Sequence, residues 1–412
     1  MMTEETDRAV NNGPLASLKI LDFSTLVPGP FASMILADLG ADVVRVEAPH
    51  RPDMMRATPP FDGEVSAWHG LLNRSKRSIA LDLKRPDAVE VVKRLVQQYD
   101  IVLEQFRPGV MDRLGVGYEA LQAVNPALIY CAVTGYGQNG PYRDRAGHDL
   151  NYLSLAGVMS HSGRQASGPA PFSILAADLG GSFGTITGIL AAVIERTKSG
   201  VGQFVDIGLF DISVAWNALA TAQFLVGGQN PEAETEWLNG GGFYDIYRCG
   251  DGRYLSVGSL EPKFWQGFCQ AIEQPAWIER GADRSPQAQQ SLKADIQAVI
   301  VTRSLEEWRA IFDQVDVCVE PVLTVEEMVD HPQTEARQMV VGVPKPDGTA
   351  QPQIGSPYKF SRSQINYKHT GTELGINTAE VLAEVGYSSA EIEVLRASGV
   401  FGEGISSPAA TK

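Results

Sequence analysis

The chain has 412 residues, 44% of them hydrophobic, and a formal charge of −15. That length allows two or three domains around a sizeable core, and the acidic balance excludes a nucleic-acid binder, whose footprint is basic. Cys131, Cys249, Cys269 and Cys318 are scattered without CxxC or zinc-type spacing, so free thiols, a reducing compartment and no metal centre are expected. Met1 to Leu15 is polar and acidic and lacks the layout of a signal peptide. The apolar stretch Gly180 to Val193 is short and glycine-rich, which predicts no membrane-spanning helix and a cytoplasmic protein.

In chain order, Leu18 to Phe23 alternates and predicts a strand. Val27-Pro-Gly-Pro30 turns into a helix over Phe31 to Leu39 that Gly40 closes, and Val43 to Val46 is the next strand. The pattern repeats through strand Ser78 to Leu83, helix Pro86 to Tyr99, strand Ile101 to Leu103, helix Tyr118 to Val124 and strand Ala127 to Val133. Strands alternating with helices predict an α/β fold with a Rossmann-like parallel sheet. Phe183 to Ile194 predicts a helix buried on most sides, and Gln203 to Phe210 the last strand of this sheet. A polar linker from Val226 opens a smaller α+β segment, and a second begins at His331-Pro332. The predicted organisation is a tail over 1–16, a large domain over 17–224 and 332–403, a small domain over 225–331, and a disordered tail over 404–412.

A helix over Leu150 to Met159 places His148 and Asp149 at its start, and Asp178 precedes Gly-Gly and the apolar helix. Two groups at two helix N-termini are well placed to face one cleft. The alternative is a satisfied structural histidine and an ordinary cap. Gly135-x-Gly137-x-x-Gly140 matches a dinucleotide fingerprint, but no helix opens within it, which argues against a nicotinamide cofactor.

Gly135-Tyr-Gly-Gln-Asn-Gly-Pro-Tyr142, Ala146-Gly-His-Asp-Leu-Asn-Tyr152 and Asp251-Gly-Arg-Tyr-Leu-Ser-Val-Gly-Ser-Leu-Glu-Pro262 resemble the class III coenzyme A transferase (CaiB/BaiF) superfamily, most of all its α-methylacyl-CoA racemase branch. The likeness runs from about Leu18 to about Gly399. It implies an acyl-CoA thioester substrate, no cofactor besides the coenzyme A of that substrate, and an interlocked homodimer. The catalytic residues it implies are His148 and Asp178, with Glu261 orienting the histidine. It also implies CoA contacts near Arg74, Lys76, Ala80, Leu81, Leu83, Lys84 and Arg107, and around Gly147, Asp149 and Tyr152. One position departs: the racemases carry an arginine where this chain has Ala48, and Arg45, His50 and Arg51 are the candidates to replace it.

The implied chemistry is removal of the proton α to the thioester and its return on the other face, through an enolate. His148 suits one face because its ordinary pKa lies near neutrality, and Asp178 the other if its site raises its pKa. The amides at Asp178 and its neighbours are the expected enolate donors. In the transferases of the same superfamily the matching aspartate is the nucleophile, and a histidine at position 148 is generally absent.

Overall fold

A computed structural model describes residues 13–402; the tail expected over 404–412 and most of that over 1–16 lie outside the described residues. Six strands form the central sheet: β1 (Lys19–Asp22), β2 (Asp42–Glu47), β3 (Arg77–Ala80), β4 (Ile101–Glu104), β5 (Ile129–Thr134) and β6 (Phe204–Gly208). Every pairing is parallel, in the order β3-β2-β1-β4-β5-β6. This is the doubly wound order, in which the direction of winding reverses between β1 and β4 and leaves a crevice at their carboxyl ends. The α/β expectation holds, with additional small sheets at Phe61–Asp62 with Val65–Ser66, at Val340–Pro344 with Ala350–Ile354, and in the second unit.

The strands are apolar on both faces because helices cover both. Leu21, Val44, Val46, Ile79, Val102 and Ala132 are buried against Ala88, Val91, Val92 and Leu95 of helix α2 (Pro86–Leu95) and against Val381 and Leu382 of the helix Thr378–Glu384. Helix α1 (Pro28–Asp38) begins three residues earlier than its apolar spacing suggested, since Pro28 and Pro30 fit the first turn, where an N–H is dispensable. It offers no anion site at the crevice. Its two prolines have no N–H, Gly29 donates to Gln105 Oε1 at 3.0 Å, and Phe31 donates to the Val27 carbonyl.

Residues Asp149–Leu155 form a short helix, α3, and Ala176–Ser199 a long one, α4, of 24 residues. By length and composition α4 could cross a membrane, contrary to the expectation from Gly180 to Val193. Its buried face, from Ala177 through Gly180, Gly181, Thr185 and Ile186 to Ala192, packs on α1, β5 and β6. A Cβ at Gly181 would stand 2.1 Å from Leu209, and one at Gly188 2.9 Å from Val205, so glycine is what lets this helix lie close to the edge strand. The opposite face is open, with Phe183 and Ile194 exposed, so α4 is buried on one side rather than most.

Contacts divide the chain into two units. One comprises the chain up to Tyr152, Leu175–Ser213 and the chain from Glu335; the other comprises Leu153–Ile174 and Val214–Thr334. The second unit has an antiparallel sheet of Asp245–Arg248, Tyr254–Val257 and Val319–Pro321, with Trp265, Phe268, Leu292, Ile296 and Trp308 in its core. The sequence reading assigned 153–174 and 214–224 to the large domain. Hydrogen bonds explain the difference: Asn217 Nδ2 donates to the Ala156 carbonyl, Asn239 Nδ2 to the His161 carbonyl, and Arg164 to Asp245 at 2.6 and 2.8 Å.

The first unit carries an unusual load of buried charge. Arg74, 1% exposed, binds Asp38 through two nitrogens at 2.6 and 2.9 Å and donates to Gln353 and to the Ile354 carbonyl. Lys76, also 1% exposed, reaches Asp22 at 3.2 Å, the Pro30 carbonyl at 2.9 Å and Asn73 at 3.1 Å. Breaking a buried pair strands the remaining charge. Arg74→Met should therefore lower stability by about 3–5 kcal/mol, read as an earlier urea unfolding midpoint, and an unchanged midpoint would refute the structural role.

Candidate active site

The site is built on the junction of α3 and α4. His148 caps α3: its carbonyl accepts from the amides of Asn151 at 2.8 Å and Tyr152 at 3.3 Å, and its own amide donates to Asn151 Oδ1 at 3.0 Å. The backbone is thereby fixed while the imidazole stays exposed. Among the described residues no hydrogen bond reaches that ring. The rings of His69, His161, His331 and His369, in contrast, all bind protein groups. The structural alternative for His148 is therefore not what the fold shows.

Asp149, the next residue, is buried and does not cap its own helix. Its Oδ1 accepts from the amides of Ala177 at 2.6 Å and Asp178 at 3.1 Å. A side chain from α3 thus satisfies the orphan donors at the start of α4, and the same two bonds bring the turn carrying His148 to the turn carrying Asp178. This corrects the assignment of Asp149 to CoA contact. The expected enolate donors are already engaged, the amides of Ala177 and Asp178 by Asp149, the second at the longer distance, and that of Leu179 by the Leu175 carbonyl.

Asp178 sits in the first turn of α4, half-buried. Burial, and then the neighbouring Asp149 carboxylate, push its carboxyl up to about 7. No cation contributes to that balance. Tyr152, 6% exposed, donates its hydroxyl to the Gly147 carbonyl at 2.5 Å and packs edge-on to Tyr136 with ring centres 5.2 Å apart. A Cβ on Gly135 or on Gly147 would stand 2.7 Å from the Tyr152 ring. The two glycines are thus required by the tyrosine that fixes the His148 turn. The loop Gly135–Gly140 opens no helix, and its Gln138 amide donates to the Asp206 carboxylate at 3.0 Å, which disfavours a phosphate there.

The other predicted residues divide by exposure. Arg45, 1% exposed, is held by Asp53 at 2.6 Å and Glu47 at 3.3 Å, so it cannot stand in for the arginine missing at Ala48; His50 and Arg51 are at the surface. Arg74 and Lys76 are consumed by the ion pairs described above, and the side chains of Ala80 and Leu81 lie in the core. The side chains of these five belong to the scaffold: Arg45 and Ala80 lie on covered parallel strands, and Arg74, Lys76 and Leu81 flank β3. Leu83 and Lys84 instead line a cavity of about 520 Å³ beyond the end of β3, with Arg85 and Arg113. Neither arginine was singled out from sequence, since the cavity joins two segments of chain. Arg85 adds a buried Nε without a partner. Arg107, after β4 at the crevice, is exposed and close enough to act electrostatically on Tyr152. In the second unit Glu261 is exposed at the N-cap of Pro262–Ala271 and makes no cap bond with its side chain.

Asp149→Asn keeps an oxygen for the Ala177 amide but removes the like charge beside Asp178. The Asp178 titration is expected to fall below about 7, seen as a downward move in carboxyl-carbon NMR; an unmoved titration would contradict the coupling.

Comparison with known proteins identifies the family of the chain. The model of CoA-transferase family III matches residues 15–378. The chain is 35% identical to α-methylacyl-CoA racemase of Homo sapiens, over 92% of this chain and 95% of that protein. It is 32% identical to succinate–glutarate CoA-transferase of Agrobacterium fabrum, over 92% and 98%. A crystal structure of a CaiB/BaiF family protein from Brucella suis superposes with a TM-score of 0.79 at 29% identity, covering 91% of this chain and all of that one. The resemblance seen in the motifs is thereby established: this chain belongs to CoA-transferase family III.

Proposed function

We propose that the protein is an α-methylacyl-CoA racemase, interconverting the (2R) and (2S) forms of a 2-methylacyl-CoA. The observation that carries this reading is the pairing made by Asp149: an exposed, unbonded His148 on one side, and on the other a carboxyl poised at about 7. Such a carboxyl is populated in both protonation states near neutrality, as a group that takes a proton in one direction and gives it in the other must be. A nucleophile that must be ionised gains nothing from the same shift.

In one direction His148 removes the α proton, and Asp178, protonated, delivers its proton to the opposite face; in the other the roles exchange. The charge that develops on the thioester oxygen needs a donor. Asp149 holds the Ala177 amide at 2.6 Å but the Asp178 amide at 3.1 Å, so the second is the bond an incoming oxygen would compete for. Glu261 keeps the orienting role that the resemblance implies. Arg107 and the cavity of Lys84, Arg85 and Arg113 suit the phosphates of coenzyme A.

A pure-enantiomer 2-methylacyl-CoA incubated in D₂O should gain deuterium at the α carbon and lose optical purity, and His148→Ala should slow this by roughly 10²–10⁴-fold. With succinate present, no exchange but a new acyl-CoA made from the added acid would establish Asp178 as a nucleophile and a transferase instead.

We also propose a homodimer. In the second unit the apolar helix Ala218–Gly227 has no buried residue, and Leu219, Leu225 and Val226 are 77%, 74% and 92% exposed. Apolar surface of that kind needs a cover. Light scattering should give twice the chain mass, and Leu225→Glu should weaken the association; a monomer at micromolar concentration would refute it.

A further inference from the structure

A second cavity, of about 390 Å³, lies on the sheet face turned away from α4. Val205 and Ile207 of β6 face α4, so Phe204 and Asp206 point the other way. On that side β5 and β6 have little cover besides the short helices Val110–Arg113 and Tyr118–Gln122. The cavity shares no residue with the turns of His148 and Asp178.

Its lining combines carboxylates with rings and has no basic residue: Glu104, Asp112 and Glu119 stand with Tyr118, Tyr130 and Phe204. The three rings brace one another, Tyr130 stacked on Phe204 at 5.5 Å and Tyr118 edge-on to both. Three polar groups are left over. Glu104 is 5% exposed and accepts from the Phe106 amide at 2.7 Å through one oxygen; among the described residues no cation pairs with it. Tyr130 is 2% exposed and its hydroxyl makes no hydrogen bond among the described residues. Gln138 Nε2 is buried and has no partner among the described residues. Buried acids are ordinarily paired and buried donors satisfied. Here one unpartnered buried donor, Gln138 Nε2, and two polar groups with spare hydrogen-bonding capacity, Glu104 and Tyr130, converge on one open cavity.

We propose that this cavity is a second ligand site, for a small primary ammonium carrying an aromatic or apolar body. The ammonium pairs with Glu104 and Asp112, neither of which has a cation beside it among the described residues. The body lies on Met111 and the faces of Tyr118 and Phe204. An oxygen on that body takes the Gln138 amide.

Calorimetric titration of the full chain with tyramine tests this, with tyrosol as the neutral analogue and 4-hydroxyphenylacetate as the anionic one. Tyramine should bind saturably at one site per chain. Glu104→Gln should weaken it at least roughly tenfold, because the ammonium loses its buried partner. The anion should not bind, and His148→Ala should leave tyramine binding unchanged. Circular dichroism monitors folding, and Asp112→Asn carries the same test if Glu104→Gln does not fold. Equal binding of all three probes, undiminished binding by a folded Glu104 or Asp112 variant, loss of binding in His148→Ala, or no tyramine binding at millimolar concentration would each overturn the site.

Discussion

The carboxylate of Asp149 is the interaction on which the active site depends. It accepts the amides of Ala177 and Asp178, and in doing so performs three tasks at once. It satisfies donors at the start of a 24-residue helix, where unsatisfied N–H groups and the positive end of the helix dipole would otherwise remain. It fastens the turn of His148 to the turn of Asp178. Finally, it puts a negative charge beside a half-buried carboxyl, and that charge adds to burial in raising Asp178 to about 7. A neutral cap would manage the first two tasks and not the third.

Around this junction buried charges bridge the elements of the scaffold. The Lys76 ammonium ties Asp22 at the end of β1 to the first turn of α1 through the Pro30 carbonyl. Burial lowers its pKa to about 8 against the pull of Asp22. From the same turn, the Pro28 carbonyl accepts from Ser182 of α4, whose hydroxyl also reaches the Asp178 carbonyl. Buried ion pairs add little net stability but impose one geometry. Here they fix α1, and α1 in turn supports the helix that presents Asp178. The cost is that the side chains of Arg45, Arg74 and Lys76 are committed to the scaffold, whereas Lys84, Arg107 and Arg113 stay exposed.

Much of this was readable in the chain itself. The alternation of apolar strands with amphipathic helices determined the parallel sheet, because only strands covered on both faces read as continuous apolar runs. The glycines and tyrosines of Gly135 to Tyr152 marked the turn that carries His148, and the family follows from those motifs. The spacing of Ser388 and Glu391 is that of a capping box, and the last helix opens on one. The antiparallel pair Val340–Pro344 and Ala350–Ile354 went unread, since little in its sequence alternates.

Sequence by itself therefore determined the local chemistry: which residue types stand at which turns, and that His148 and Asp178 are the groups to watch. Tertiary structure decided which polar residues are free to act. Arginines and lysines near strand ends look alike in a sequence. Whether one meets a ligand or a buried aspartate depends on partners far along the chain, as Arg74 meets Asp38 and the Ile354 carbonyl. The same holds for Asp149, whose local context suggests a cap for its own helix and whose actual partners lie 28 and 29 residues away. Hydrogen-bond partners are fixed by where the backbone folds back, and sequence spacing does not carry that information.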